Sequence, residues 1–163
     1  KGTYKILKRL ERDDIVAKRT IAHADIYGLN FKNSKTEDLV KYVLKSELAP
    51  NAYVKVLQKD LQPLYGLADM LLLFGSVLTK GLQGNDIDLL IMLHKKNFSS
   101  FRSRLRQVEI IIPRKIHPVF QTKNDMQKNL QKEDPVIMAA IQKGFILLGH
   151  GLLYQSIKND ASR

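Results

Sequence analysis

Between Leu71 and Leu93 the chain reads LLLFGSVLTKGLQGNDIDLLIML, and this stretch limits the possible folds more than any other. An apolar strand, Met70–Phe74, runs into a Gly75-Ser76 turn that should open a helix. A loop carrying Gly81 and Gly84 then leads to a second apolar strand that begins Asp86-Ile87-Asp88. Residues i and i+2 of a strand point to one face, so the Asp86 and Asp88 carboxylates emerge side by side. Two like charges held that close repel unless a cation lies between them, and magnesium, a hard cation with oxygen ligands, is the usual occupant. At the other end of the loop, the free amides of the helix start and the Ser76 hydroxyl can hold a phosphate.

An apolar strand, Gly-Ser, nine intervening residues and Asp-Ile-Asp-Leu-Leu-Ile, in that order, resemble the signature of the polymerase-beta-like nucleotidyltransferase superfamily, above all its minimal prokaryotic members. The resemblance implies an α/β (α+β) nucleotidyltransferase fold, a short mixed sheet flanked by helices, over residues 50–150. It also implies Mg2+ on Asp86 and Asp88, and a nucleoside triphosphate, ATP first among them, held at Gly75 and Ser76 with Lys80 neutralising its charge. The reaction implied is transfer of a nucleotide monophosphate to a hydroxyl of a protein, RNA or small molecule. The plain structural alternative is a hairpin or βαβ unit whose aspartates merely end a turn.

In that family a third carboxylate normally stands on a following strand. Here Phe98, Phe101, Leu105, Val108 and Ile112 recur at spacings of three and four, which predicts an amphipathic helix over 98–112 ended by Pro113. The next strand is then Lys115–Thr122, KIHPVFQT, which contains neither Asp nor Glu. The expected acid position falls near His117, which is open to three readings: a ligand, a general base, or a polar residue ahead of Pro118. Glu109 and Asp125 are the nearest acids, one on the predicted helix and the other past the strand.

The absence of an obvious third carboxylate admits a second class of function. In it, a DNA-bound transcriptional regulator or antitoxin-like protein keeps the nucleotidyltransferase fold with weak or no catalysis.

The chain's 163 residues allow one domain or two small ones, and 44% hydrophobic residues suffice for packed cores. With no cysteine there are no disulfides and no thiolate metal sites, which fits a cytoplasmic setting. No apolar run approaches the length of a membrane span, so no membrane partner is expected. The net charge of +11 calls for an anionic partner. Residues 95–132 hold ten Lys or Arg against Glu109 and Asp125; that segment faces triphosphate, RNA or DNA, or is a solvated basic surface.

Residues 3–12, TYKILKRLER, put Ile6, Leu7 and Leu10 on one helical face, with Lys5, Lys8, Arg9 and Arg12 around the other. Two extended stretches, Ile15–Thr20 and Asp25–Asn30, follow and join near Ala22-His23. A basic helix and a two-stranded ribbon ending in Tyr-Gly-Leu-Asn resemble the second half of a winged helix-turn-helix domain, a partial module over residues 1–30 whose first helices would lie upstream of Lys1. The resemblance implies DNA contacts from Lys5, Lys8, Arg9 and Arg12 on the helix and Lys18 and Arg19 on the wing. A helix and hairpin that simply pack on the rest of the chain is the alternative.

Residues 31–49 read as a linker, best at 32–36, and a helix. Ser34-Lys-Thr-Glu37 has capping-box spacing, and Leu39, Val40, Val43, Leu44 and Leu48 carry an apolar stripe to Ala49-Pro50. Another helix is expected over 51–61. A further helix with Pro135 just inside its start should precede a last strand, Phe145–Leu148, and residues 151–163 read as a C-terminal tail.

Overall fold

The computed structural model describes residues 2–45 and 49–161. It is a mixed α/β structure with helices and two small sheets, and it divides into two compact units between residues 46 and 47.

The first unit runs α1 (Gly2–Arg12), β1 (Val16–Ile21), β2 (Ala24–Leu29) and α2 (Ser34–Lys45). β1 and β2 form an antiparallel hairpin with Ile21 opposite Ala24, so Ala22-His23 is a two-residue turn in which Ala22 takes φ 53°. The unit has little core. Among its described residues Val16 and Thr36 are buried, and α1 buries none. Leu7 and Leu10 are half-buried, but Ile6, expected on the packed face, is 62% exposed.

Polar side chains tie this unit together instead. Asn33 Nδ2 donates to the carbonyls of Asp13 and Asp14, Asn30 Nδ2 donates to Asp14, and the Thr36 hydroxyl donates to the Ile15 carbonyl. They brace the corner where Asp14 adopts φ 57°. The start of α2 is capped one residue before the expected Ser34, by Asn33 Oδ1 accepting from the Lys35 amide. That helix therefore belongs with the first unit rather than with a linker; Leu48 lies outside the described residues.

The second unit begins with α3 (Ala52–Asp60) and a 3-10 turn, Gln62–Leu67. β3 (Met70–Phe74), the single-turn α4 (Val77–Lys80) and β4 (Ile87–Met92) follow, then α5 (Phe98–Ile111) and β5 (Ile116–Gln121). It closes with α6 (Lys123–Gln131), α7 (Pro135–Lys143), β6 (Phe145–Leu148) and α8 (His150–Ala161). The sheet order is β5-β4-β3-β6; β3 is antiparallel to β4 and β6, while β4 and β5 run parallel.

Both faces of this sheet are covered, which is why β3 and β4 read as nearly unbroken apolar runs. Leu71, Leu73, Ile87, Leu89 and Ile91 form one cluster with Val54 and Leu57 of α3 and Phe101, Leu105 and Val108 of α5. On the other face α7 and α8 pack on β3 and α6 on β5. Most of the expected tail, 151–163, is instead helical: it lies in α8, which buries Leu153 and Tyr154. No helix of the described residues is long and apolar enough to cross a membrane.

Candidate functional site

Strand pairing sets the centre of the site. β4 and β5 pair with Asp88 opposite His117, and β3 and β4 pair with Phe74 opposite Asp88. Partners across a sheet share a face, so Asp86, Asp88 and His117 converge where β4 begins, each partly open to solvent. The Ile87 amide donates to the Lys115 carbonyl and fixes that end of the strand. His117 Nδ1 lies 3.9 Å from Asp86 Oδ2 and 3.8 Å from Asp88 Oδ1.

Asp88 is bounded on its other side by backbone. Gly75 follows β3 with φ 76°, and a Cβ built there would run into Asp88 Oδ2. Glycine is therefore required twice, by its conformation and by the space Asp88 occupies. One carboxylate oxygen faces the histidine and the other the Gly75 turn.

The Ser76 turn is shorter than a phosphate-binding helix suggests. α4 is one turn, in which the Leu78 amide donates to the Gly75 carbonyl and the Thr79 and Lys80 amides donate to the Ser76 carbonyl. A single turn adds little dipole and three of its four amides are already bonded, so the anion-binding capacity rests on the Ser76 and Val77 amides and on the Ser76 hydroxyl. Gly84 packs underneath: a Cβ there would stand 3.2 Å from both Ser76 Oγ and the Val77 nitrogen.

Asn51 holds this turn, and sequence reasoning used it only to mark the start of a helix. Its Oδ1 caps α3 by accepting from the Val54 amide, while its Nδ2 donates to the carbonyls of Val77 and Leu78 at 3.0 Å each. Arg114 closes the far side of the loop by donating to the Leu82 carbonyl. The only advance signal was Asn ahead of an apolar periodic run, a cap pattern that does not reveal a second set of partners.

The remaining candidates lie apart from the carboxylates. Lys80 is exposed at the end of α4. Asp125 is engaged elsewhere: it accepts from the amide and hydroxyl of Thr122 in the capping box of α6, and those bonds hold its carboxyl below the usual range. Glu109 sits on α5, half-buried. Among the described residues no three His, Cys, Asp or Glu side chains form a ready-made metal cage. The donors present, two carboxylates beside an imidazole, suit a hard divalent cation that completes its shell with phosphate oxygens and water.

The six basic residues expected to contact DNA, Lys5, Lys8, Arg9, Arg12, Lys18 and Arg19, are less free than the sequence suggests. Lys8 pairs with Glu11 at 2.7 Å, which raises its pKa, and Arg9 and Arg12 lie 4.0 and 3.9 Å from Asp13. On the hairpin Lys18 pairs with Asp25 at 2.8 Å, which raises the lysine and lowers the carboxyl. Lys5 and Arg19 carry no ion pair among the described residues.

Comparisons with protein-family models, with curated proteins and with solved structures find no match to this chain.

Proposed function

We propose that the second unit is a nucleotidyltransferase-like domain of the polymerase-beta type, which binds a nucleoside triphosphate with Mg2+ and transfers its nucleotide monophosphate to a hydroxyl. Residues 1–30 of the first unit are a partial winged-helix module that binds DNA. One observation carries the reading: Asp86 and Asp88 leave the start of a buried strand on one face, with Asp88 seated against the Gly75 turn that supplies the phosphate-binding amides. Metal site and phosphate site thus adjoin, as transfer at an α-phosphate requires.

In this reading Asp86 and Asp88 hold the cation, the Ser76 hydroxyl and the Ser76 and Val77 amides hold the terminal phosphates, and exposed Lys80 offsets their charge. The chemistry supplied by bound Mg2+ is neutralisation of phosphate charge during in-line displacement. Asn51 keeps the turn at its place beside β3. A ring nitrogen of His117 is the candidate to accept the proton of the attacking hydroxyl.

Calorimetry tests the reading. Asp86→Asn/Asp88→Asn keeps side-chain size and removes the charge, so magnesium-dependent triphosphate binding should be lost, while Ser76→Ala should weaken it less because the amides remain. Equal affinity in wild type and double variant refutes the assignment. For the first unit, Lys5, Lys8, Arg9 and Arg12 changed together to Glu should abolish duplex binding and leave triphosphate binding intact.

His117 favours a second reading. It stands opposite Asp88 without a negative charge, so a second cation would have only two protein carboxylates, and turnover would be slow or absent. The protein would then be a DNA-bound regulator or antitoxin-like partner that binds nucleotide without using it. His117→Asp separates the two: a rise in magnesium-dependent transfer or hydrolysis marks a position lacking its acid, whereas a fall from an active wild type marks a working histidine.

A further inference from the structure

The second unit carries a connected basic surface at the end of β4 and β5 remote from the aspartates. A cavity of about 870 Å³ there is lined by Lys95, Lys96, Lys123 and Lys128, with Asp69 and Asp125 as its acids. It shares Lys95 and Thr122 with a neighbouring hollow of about 240 Å³ walled by Phe98 and Phe120. That hollow shares Phe98 with a third, of about 270 Å³, bordered by Arg102 and Arg106.

Two acids stand among these cations, and Asp125 stays ionised within reach of the Lys95 and Lys128 charges, but the four lysines of this cavity outnumber its two carboxylates. Asp125 is committed to Thr122, and Asp69 lies 4.0 Å from His94. None of the six cations makes an ion pair among the described residues. The start of α6 is already satisfied by its capping box, so the affinity for anions rests on the six side chains.

The spread and the aromatics select the ligand class. Phe98 and Arg106 are eight residues apart on α5, roughly 12 Å along the axis, so the cations span more than one phosphate. Between the lysine and arginine groups stands an aromatic shelf. Phe98 is 37% exposed, meets Phe120 edge to face at 4.9 Å between centroids, and has the Arg102 guanidinium 5.8 Å from its ring centre. A cationic track broken by a partly exposed ring suits a strand with unpaired bases, one base stacking on the shelf while phosphates meet the cations. In a duplex the bases are stacked inside and cannot reach it. We infer that this surface, from Lys123 and Lys128 through Phe98 to Arg102 and Arg106, binds single-stranded nucleic acid.

The test uses the full chain with Lys5, Lys8, Arg9 and Arg12 changed to Glu, so that α1 does not contribute. Anisotropy is measured with labelled oligouridylate and oligothymidylate of about 12 nucleotides, a length within the range bound by comparable grooves. Binding of either supports the inference. With four phosphate contacts, affinity should fall roughly 50-fold between 50 and 200 mM salt. Lys95→Glu/Lys123→Glu/Lys128→Glu should abolish binding at 50 mM salt while leaving magnesium-dependent triphosphate binding unchanged. Phe98→Leu should cost roughly 5- to 150-fold and Phe98→Tyr much less, because only the latter keeps a ring to stack on.

Asp86→Asn/Asp88→Asn should not alter oligonucleotide binding, so failure of the nucleotidyltransferase reading leaves this result standing. Absence of binding at 50 mM salt, an unaffected triple-lysine variant, or equal affinity for a duplex of the same length overturns the inference.

Discussion

The two units are held together by different forces. In the second, every residue from Met70 to Leu73 and from Leu89 to Leu93 is buried, and the sheet is covered on both faces. In the first, all of β1 after Val16 is exposed, and Tyr4, Ile6, Ile21, Ile26 and Tyr42 are each more than half exposed. A unit of that size cannot bury enough apolar surface to rest on a core. Its shape depends on Asn30, Asn33 and Thr36 holding the backbone at the α1–β1 corner. The buried unit is consequently the one that can fix carboxylates within a few tenths of an ångström, because packed side chains on both faces resist displacement of β4. The open unit offers a surface rather than a site.

The largest expected effect is in the core. Leu90 is fully buried at the centre of the four-stranded sheet, so Leu90→Ala should destabilise the second unit by about 2–5 kcal/mol. Denaturant unfolding followed by a probe in each unit checks this: the first unit's transition should not move, and a shared shift would erase the contrast between the units.

Gly75→Ala comes next. The residue must take φ 76° with its Cβ against the Asp88 carboxylate, so about 1–3 kcal/mol of stability should be lost to strain. Displacement of Asp88 should weaken magnesium-dependent triphosphate binding at least as much as Asp88→Asn does, measured by calorimetry. Unchanged binding would show that the Gly75 turn does not define the site.

In the first unit the decisive groups are polar. Asn33→Ala removes the cap of α2 and two bonds to the corner carbonyls, for a cost of about 1–2 kcal/mol confined to that unit. Protection of the Asp14–Val16 amides from hydrogen exchange reports it, and a loss below a few tenths would mean that the corner is held by packing after all.

The smallest effect has the opposite sign. Ala22 sits at φ 53° in the hairpin turn, where a Cβ is unfavourable, so Ala22→Gly should stabilise the first unit by about 1 kcal/mol, read as a higher midpoint of its own transition.

Much of the second unit was legible because its elements are strongly patterned. The strand at Met70–Phe74 is found where the apolar run places it, and α5, expected over 98–112, spans Phe98–Ile111. α6 is not legible in the sequence, because KNDMQKNLQ offers only Met126 and Leu130 to a 3.6-residue period. α8 carries a weak helical signal for a similar reason: Leu152, Leu153 and Tyr154 are clustered rather than spaced. The Ser34-x-x-Glu37 pattern was correct in kind and one residue late, since a cap is chosen by backbone geometry and Asn33 was nearer to it.

The sequence by itself determined that Asp86 and Asp88 share a face, because the two-residue period of a strand is a local property. It also determined that a glycine would stand at position 75 and that no acid would follow on the next strand. Only the tertiary structure decided that His117 is Asp88's partner, that Gly75 closes on the same carboxylate, and that Asn51, twenty-six residues before Val77, holds the intervening turn. Those are choices of register and packing between segments far apart in the chain. They are set by which alignment buries β3 and β4 on both faces, and no window of sequence contains that information.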